Sequence, residues 1–399
     1  MRTLVLSDLH LGCGADPGIF AGADPLAGLL ARLAAAPLRV VLNGNTFDFP
    51  AQEGDDVVQA LTRSPANAAV LAALGRVADR GGELIFRAGR HDAELERADV
   101  QAHVLGGLEL PARSRRRVAF VAAAAPSRCE AGGSALLIRR CLAADAVEAE
   151  AEADAEAAAH RLINSLRRQF GVGLADLLRA RPLAAALAGL AVNPTAARHV
   201  LRDLPDAPDI LRALQASRVF ARADLSRREA EVLRAALDPD AVLGAGAHDG
   251  ALHRARLKLL RSGVGEAAAP GGFPRELGDD EWAAARAEAR RHGAAAVLGG
   301  HTHAAGWRAE AGLVACDTGA WTWLAHTPAA DADDATWAAY LERWQRTPRI
   351  DARLSGLPPT RLRLTAALLS ARSGGRGARL ALIEWRGGEV VRLRERALG

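Results

Sequence analysis

The sequence predicts an α/β protein interrupted by a block of helices. Two observations carry this. Residues 1–125, and again residues from about 280, alternate short apolar strands with amphipathic helices, the rhythm of α/β architecture. Polar residues stand at the ends of those strands, where open α/β sheets gather their functional groups.

The elements follow in order. Arg2–Leu6 is an apolar strand ending in Ser7-Asp8-Leu9-His10-Leu11-Gly12. Leu26–Ala36 is a helix, with Asp24 as N-cap and Pro25 in the first turn. Leu38–Leu42 is a second strand, ending in Asn43-Gly44-Asn45. Ala66–Arg80 is a helix stopped by Gly81-Gly82, and Glu83–Phe86 is a third strand, ending in Gly89-Arg90-His91-Asp92. Arg117–Val121 is a fourth strand, running into Ala122-Ala123-Ala124-Ala125. The pattern then changes. Leu136–Leu166 shows helical periodicity, and alanine- and leucine-rich helical segments follow, separated by prolines. Ser226–Ala236 is a helix opened by a Ser226–Glu229 capping box. Residues 130–279 are therefore expected to form a helical insertion between two parts of one core, residues 1–129 and 280–399. In the second part, Asp280–His292 is a helix, and Ala294–Leu298 is a strand ending in Gly300-His301-Thr302-His303. Leu313–Cys316 is a strand before Asp317-Thr318-Gly319, and Arg379–Trp385 with Glu389–Arg394 flanks Gly387-Gly388 as a hairpin. Trp337, Tyr340, Leu341 and Trp344 fall at helical spacing and form one packing face.

Composition sets several function classes aside. Of 51 basic residues, Lys258 is the sole lysine, and the net charge is +4. The arginines are scattered among carboxylates rather than gathered in a stripe, and only 4% of residues are aromatic. Both features disfavour a nucleic-acid partner. No run of 18 strongly apolar residues suits a membrane span. The start of the chain carries no signal-peptide pattern, and the four cysteines form no CxxC pair. A reduced, cytoplasmic setting is the expectation.

Four fragments at strand ends carry the chemistry: Asp8-Leu9-His10, Gly44-Asn45-Thr46-Phe47-Asp48, Gly89-Arg90-His91-Asp92 and Gly300-His301-Thr302-His303. Alternate positions on a strand point to one side, so Asp-x-His and His-x-His can aim a carboxylate and imidazoles at one cation. Oxygen and nitrogen donors without thiolate suit a divalent ion such as Mn, Zn or Fe.

In this order the fragments resemble the calcineurin-like metallophosphoesterases, whose motifs run D-x-H, G-D-x-x-D, G-N-H-D/E, a further His and G-H-x-H. The similarity is greatest to the bacterial SDLHLG and GDxFD branch, which includes the UDP-2,3-diacylglucosamine pyrophosphohydrolases. It covers about residues 1–125 and 280–325. The resemblance implies a four-layer α/β/β/α sandwich and hydrolysis of a phosphoester or pyrophosphate by two metals roughly 3.5–4 Å apart. It places Asp8, His10 and His303 on the first metal, position 45 between both metals, and position 90, a further His and His301 on the second. It gives His91 the protonation of the leaving group or the steadying of the phosphate, with Asp92 orienting His91. The substrate it implies is a phosphorylated small molecule or a lipid-linked nucleotide.

The chain departs from that pattern at the second metal. Asn45 stands where the bridging carboxylate belongs, and Arg90 where an asparagine ligand belongs. A guanidinium has no lone pair to give a metal. The fourth strand ends in alanines instead of delivering a histidine; His248 is a candidate replacement. One expectation is a phosphoesterase with a single metal, in which Arg90 supplies the charge of the second. The other is a catalytically degenerate relative with a binding or regulatory role.

Overall fold

The computed structural model describes residues 1–12, 20, 22–49, 65–89, 92–122, 126–142, 225–236, 273–325, 327–329, 332–346, 360–372 and 377–398, together with residues 159, 162–163, 166, 208–209, 212, 254–255, 257–258 and 261. Arg90, His91, Ala123–Ala125, His248 and most of the expected helical insertion lie outside the described residues. The chain divides into two compact units. The first comprises Met1–Ala144, Gly271–Trp323 and Leu362–Gly399; the second comprises Asp145–Pro270 and Leu324–Arg361.

The first unit is a mixed α/β structure with two mixed sheets. Its elements begin β1 (Arg2–Leu6), α1 (Ala23–Leu33), β2 (Leu38–Asn43), α2 (Pro65–Asp79), β3 (Glu83–Arg87), α3 (Ala98–Gly107), α4 (Ala112–Arg115) and β4 (Val118–Val121). They continue through β5 (Ser127–Ala131) and β6 (Ser134–Ile138). After the second unit's first segment come β7 (Arg275–Glu276), a helix at Asp279–His292, β8 (Ala296–Gly299), β9 (Gly306–Glu310) and β10 (Leu313–Asp317). The unit closes with the strands at Thr365–Ala371, Ala378–Arg386 and Glu389–Leu398, which become β13, β14 and β15 once the two strands at the unit boundary are counted. The first sheet has the order β15-β14-β13-β1-β2-β3-β4, and the second β5-β6-β8-β10-β9-β7.

Strand periodicity accounts for the packing. In β1, Leu4 and Leu6 face one side and Val5 the other. Val40 and Leu42 of β2, and Leu84 and Phe86 of β3, continue the first side. There they pack with Leu26, Leu29 and Leu30 of α1, Val70 and Leu74 of α2, and Val100 and Val104 of α3. Val5 and Val41 share a separate cluster with Leu136, Ile138, Ala296, Leu298, Val314 and Cys316 from the second sheet. The opposite side chains of that sheet, Leu137, Val297 and Ala315, pack with Trp282, Ala285 and Ala289 of the Asp279–His292 helix. Such two-sided burial is why these strands read as continuous apolar runs.

Two expectations are corrected here. The run from Leu136 does not begin a helix, because Ser134–Ile138 is β6, hairpin partner of β5 and parallel neighbour of β8. The turn is Gly132-Gly133, with φ of 56° and 83°, values that only glycine adopts cheaply at both positions. Asp24 is not the N-cap of α1. The cap is Gly22, and Asp24 lies inside the first turn.

In the second unit, α5 (Arg227–Ala236) opens with the Ser226–Glu229 box. The Ser226 amide donates to Glu229 Oε2 at 2.9 Å, and the Glu229 amide to Ser226 Oγ at 3.3 Å. Strands β11 (Trp323–Ala325) and β12 (Thr360–Leu362) pair as a two-stranded sheet. Counting the Asp279–His292 helix as α6, α7 is Asp334–Arg346. It buries Trp337, Tyr340, Leu341 and Trp344, with Trp337 and Tyr340 edge to face at 5.7 Å. Among the described residues no helix is long and apolar enough to cross a membrane.

Candidate metal centre

The carboxyl ends of the parallel strands carry an unusual backbone. Asp8, His10, Asn45, His301 and His303 have φ of 54°, 52°, 47°, 79° and 57°. Only Glu109 and Ala311 share that left-handed region among the described non-glycine residues. Each such residue costs about 1–3 kcal/mol, and the strain persists only where the surroundings hold it. Here the two exit loops are laced together. The amides of Asp8 and His10 donate to the carbonyls of Gly44 and Asn45 at 3.1 and 2.9 Å. Leu11 donates to Thr46, and Asp48 back to Leu11, both at 2.9 Å. The Trp321 amide holds the Asp8 carbonyl at 3.2 Å.

These turns bring three side chains together. Asp8, His10 and His303 are buried, and each offers a donor atom within 4.8 Å of the others. His10 Nε2 lies 3.1 Å from His303 Nε2. Asp8 Oδ1 lies 3.5 Å from His303 Nε2 and 3.8 Å from His10 Nε2. Ligands on a tetrahedral ion with bonds of about 2.0–2.1 Å stand about 3.4 Å apart. The observed triangle has the size of one such face, so the three residues can hold a metal ion.

Protonation agrees with this use. Asp48 Oδ1 accepts from His10 Nδ1 at 2.7 Å. That bond fixes the proton on Nδ1 and leaves the Nε2 lone pair facing the cluster. Burial pushes the Asp8 carboxyl up. Without a metal, the hydrogen bond from His303 and the charges of His303, His10 and His301 in their protonated forms outweigh it and hold the group well below the usual carboxylate range; a bound cation takes the place of those protons. Asp8 is therefore the anion of the cluster.

The other expected site residues occupy different positions around it. Asn45 donates from Nδ2 to Asp8 Oδ1 at 2.7 Å, turning its amide nitrogen toward the cluster. The His301 amide donates to Asp8 Oδ2 at 2.7 Å, while its ring stands outside the three-residue group. Asp92 ties two loops together. One carboxylate oxygen accepts from the Gly89 amide, and the other from Thr46 and Phe47 at 2.6 and 3.3 Å. Its burial outweighs these bonds and pushes the carboxyl up to about 7. Arg90 and His91, the expected neighbours of Asp92, lie outside the described residues.

Sequence reasoning missed the residues that brace the centre. Asp48 is one, although it stands three positions after Asn45 in the same fragment. Asp317 is another. Its Oδ2 accepts from Thr302 Oγ1 at 2.7 Å, between the two histidines, and its Oδ1 from the Gly319 amide at 2.9 Å. Arg275 grips the far side of that loop through Ala304 and Ala305, and pairs bidentately with Glu281 at 2.6 Å. The strand beside β8 bears on the expected further histidine. It is β6, which leads into Arg139 and Arg140, whereas β4 is the far edge of the other sheet. Gly132-Gly133 was the signal for this hairpin.

No family model matches the chain, and no curated protein matches it.

Proposed function

We propose that the chain is a metal-dependent phosphoesterase with one metal site, built on the four-layer α/β/β/α sandwich of the calcineurin-like metallophosphoesterases. The observation that supports it is the buried Asp8–His10–His303 triangle at strand ends, in the motif order of that family. One divalent ion, Mn, Zn or Fe, suits the donor set. When bound, it supplies Lewis-acid charge and lowers the pKa of a bound water. Asp8, His10 and His303 hold it, and Asp48 orients His10. Asn45 steadies Asp8 by hydrogen bond in place of a bridging carboxylate. Arg90 binds a phosphoryl oxygen, and His91 protonates the leaving group. The substrate class is a phosphorylated small molecule or a lipid-linked nucleotide, in a reduced cytoplasmic setting.

A second reading is favoured by the Asn45–Asp8 bond, which occupies an oxygen that a metal also needs. On that reading the protein is a degenerate relative that binds but does not hydrolyse. Metal analysis and an assay of a generic phosphodiester separate the two. The enzyme binds about one equivalent of Mn or Zn, loses it in Asp8→Ala and His303→Ala, and turns over only when loaded. Metal binding without turnover selects the degenerate relative. Absence of both metal and turnover sinks the enzyme and leaves the degenerate relative.

A further inference from the structure

We propose that Arg140 is the anion-binding half of this site, taking the phosphoryl group of the ligand on the Nε–Nη2 edge of its guanidinium. The inference rests on the phosphoesterase reading for the identity of the anion. Its position comes from β6. Past the strand end, the Arg139 amide donates to Leu298, and the Gly300 amide donates to the Arg140 carbonyl at 3.0 Å. Gly300 in turn lies against the centre: a Cβ there would stand 2.9 Å from Asp8 Oδ2. Arg140 is therefore one residue, through a backbone bond, from the metal-binding carboxylate.

The two arginines at this strand end are used differently. Arg139 reaches α6 and pairs with Glu288 at 2.6 Å. Arg140 pairs with no carboxylate among the described residues, and its Nε and Nη2 are buried without a hydrogen-bond partner. Those two donors form one edge of the guanidinium, the fork that matches two oxygens of a phosphate. A buried charged donor without a partner is costly, and such groups call for an explanation in function. Arg87 is buried at the end of β3, donating to Asn43 Oδ1 at 2.7 Å and the Ile138 carbonyl at 3.0 Å. The Asn43 amide in turn holds the Arg139 carbonyl at 2.7 Å. Arg87 and Asn43 thus hold the carbonyls of Ile138 and Arg139, the two residues that lead into Arg140. An anionic ligand at Arg140 completes the fork and offsets its charge.

Titration of the Mn-loaded protein with inorganic phosphate tests this, with Mn content measured in parallel. Wild type binds phosphate. Arg140→Gln weakens that binding about tenfold or more with Mn content unchanged, and Arg140→Lys, which keeps the charge but not the fork, falls between. Phosphate affinity equal to wild type in Arg140→Gln overturns the proposal, as does absence of phosphate binding in wild type. Should Arg140→Gln not fold, an Arg140→Lys affinity equal to wild type overturns it too. Loss of Mn binding alone counts against the metal reading. The same titration on metal-free protein still reads Arg140.

Discussion

At the scale of single residues, the centre depends on groups that never touch a metal. Asp48 is the clearest. Its carboxylate holds the His10 proton on Nδ1, so the nitrogen facing Asp8 and His303 is a lone pair. Without it the ring can flip or take the other tautomer. Asp48→Ala is expected to lower Mn or Zn affinity about 10–100-fold, the usual cost of losing such a support. Asp48→Asn keeps an acceptor for Nδ1–H and should lose less. Competition with a chelating dye measures both. Equal affinity in wild type and Asp48→Ala would mean that His10 is not held by this bond in solution.

At the scale of elements, the His301-Thr302-His303 loop is set by β10 and β7 rather than by its own sequence. Thr302 points its hydroxyl at Asp317, and Arg275 fixes the next two residues from the other side. Thr302→Val preserves shape but leaves a buried carboxylate oxygen without its donor. It is expected to cost about 1–3 kcal/mol of stability in urea and to weaken metal binding. Thr302→Ser, which keeps the hydroxyl, should restore both; equal losses in the two variants would assign the effect to packing instead. This bracing also marks what the sequence makes legible. The strand ends carrying Asp8, His10 and His303 stand out because apolar runs there stop at polar residues. Asp317 also ends a strand, but nothing in its spacing ties it to Thr302, and Arg275 lies in a two-residue strand too short to show a period. The β5–β6 hairpin was obscured differently. Leu136, Leu137 and Ile138 fit a buried strand and the first turn of a helix equally well, and short apolar runs are ambiguous by periodicity alone. The alanine-rich, acidic stretch beyond them carries a helical pattern, and the turn signal of two adjacent glycines stands against it.

At the scale of the whole molecule, Asp317 makes folding stability depend on pH. Burial pushes its carboxyl up to about 7, against the pull of Arg275, the Gly319 amide and Thr302. In the unfolded chain the same group titrates near 3.8. Between those values the folded protein holds a proton that the unfolded chain has released. Folding is therefore favoured by acid at this residue. The stability it contributes is fully present below about pH 4, falls as pH rises toward about 7, and is level above that. The full span is on the order of 4 kcal/mol. Other carboxylates contribute with the opposite sign, so the wild-type curve alone does not isolate the effect. Asp317→Asn does, because an amide keeps the Oδ1 acceptor for Gly319 and does not titrate. The stability of this variant relative to wild type should rise steadily from pH 5 to pH 7 and then flatten, measured by urea unfolding at each pH. A difference that stays level across that range would place the carboxyl near its ordinary value, which requires Arg275 to neutralise it despite standing 3.9 Å away and being bonded to Glu281.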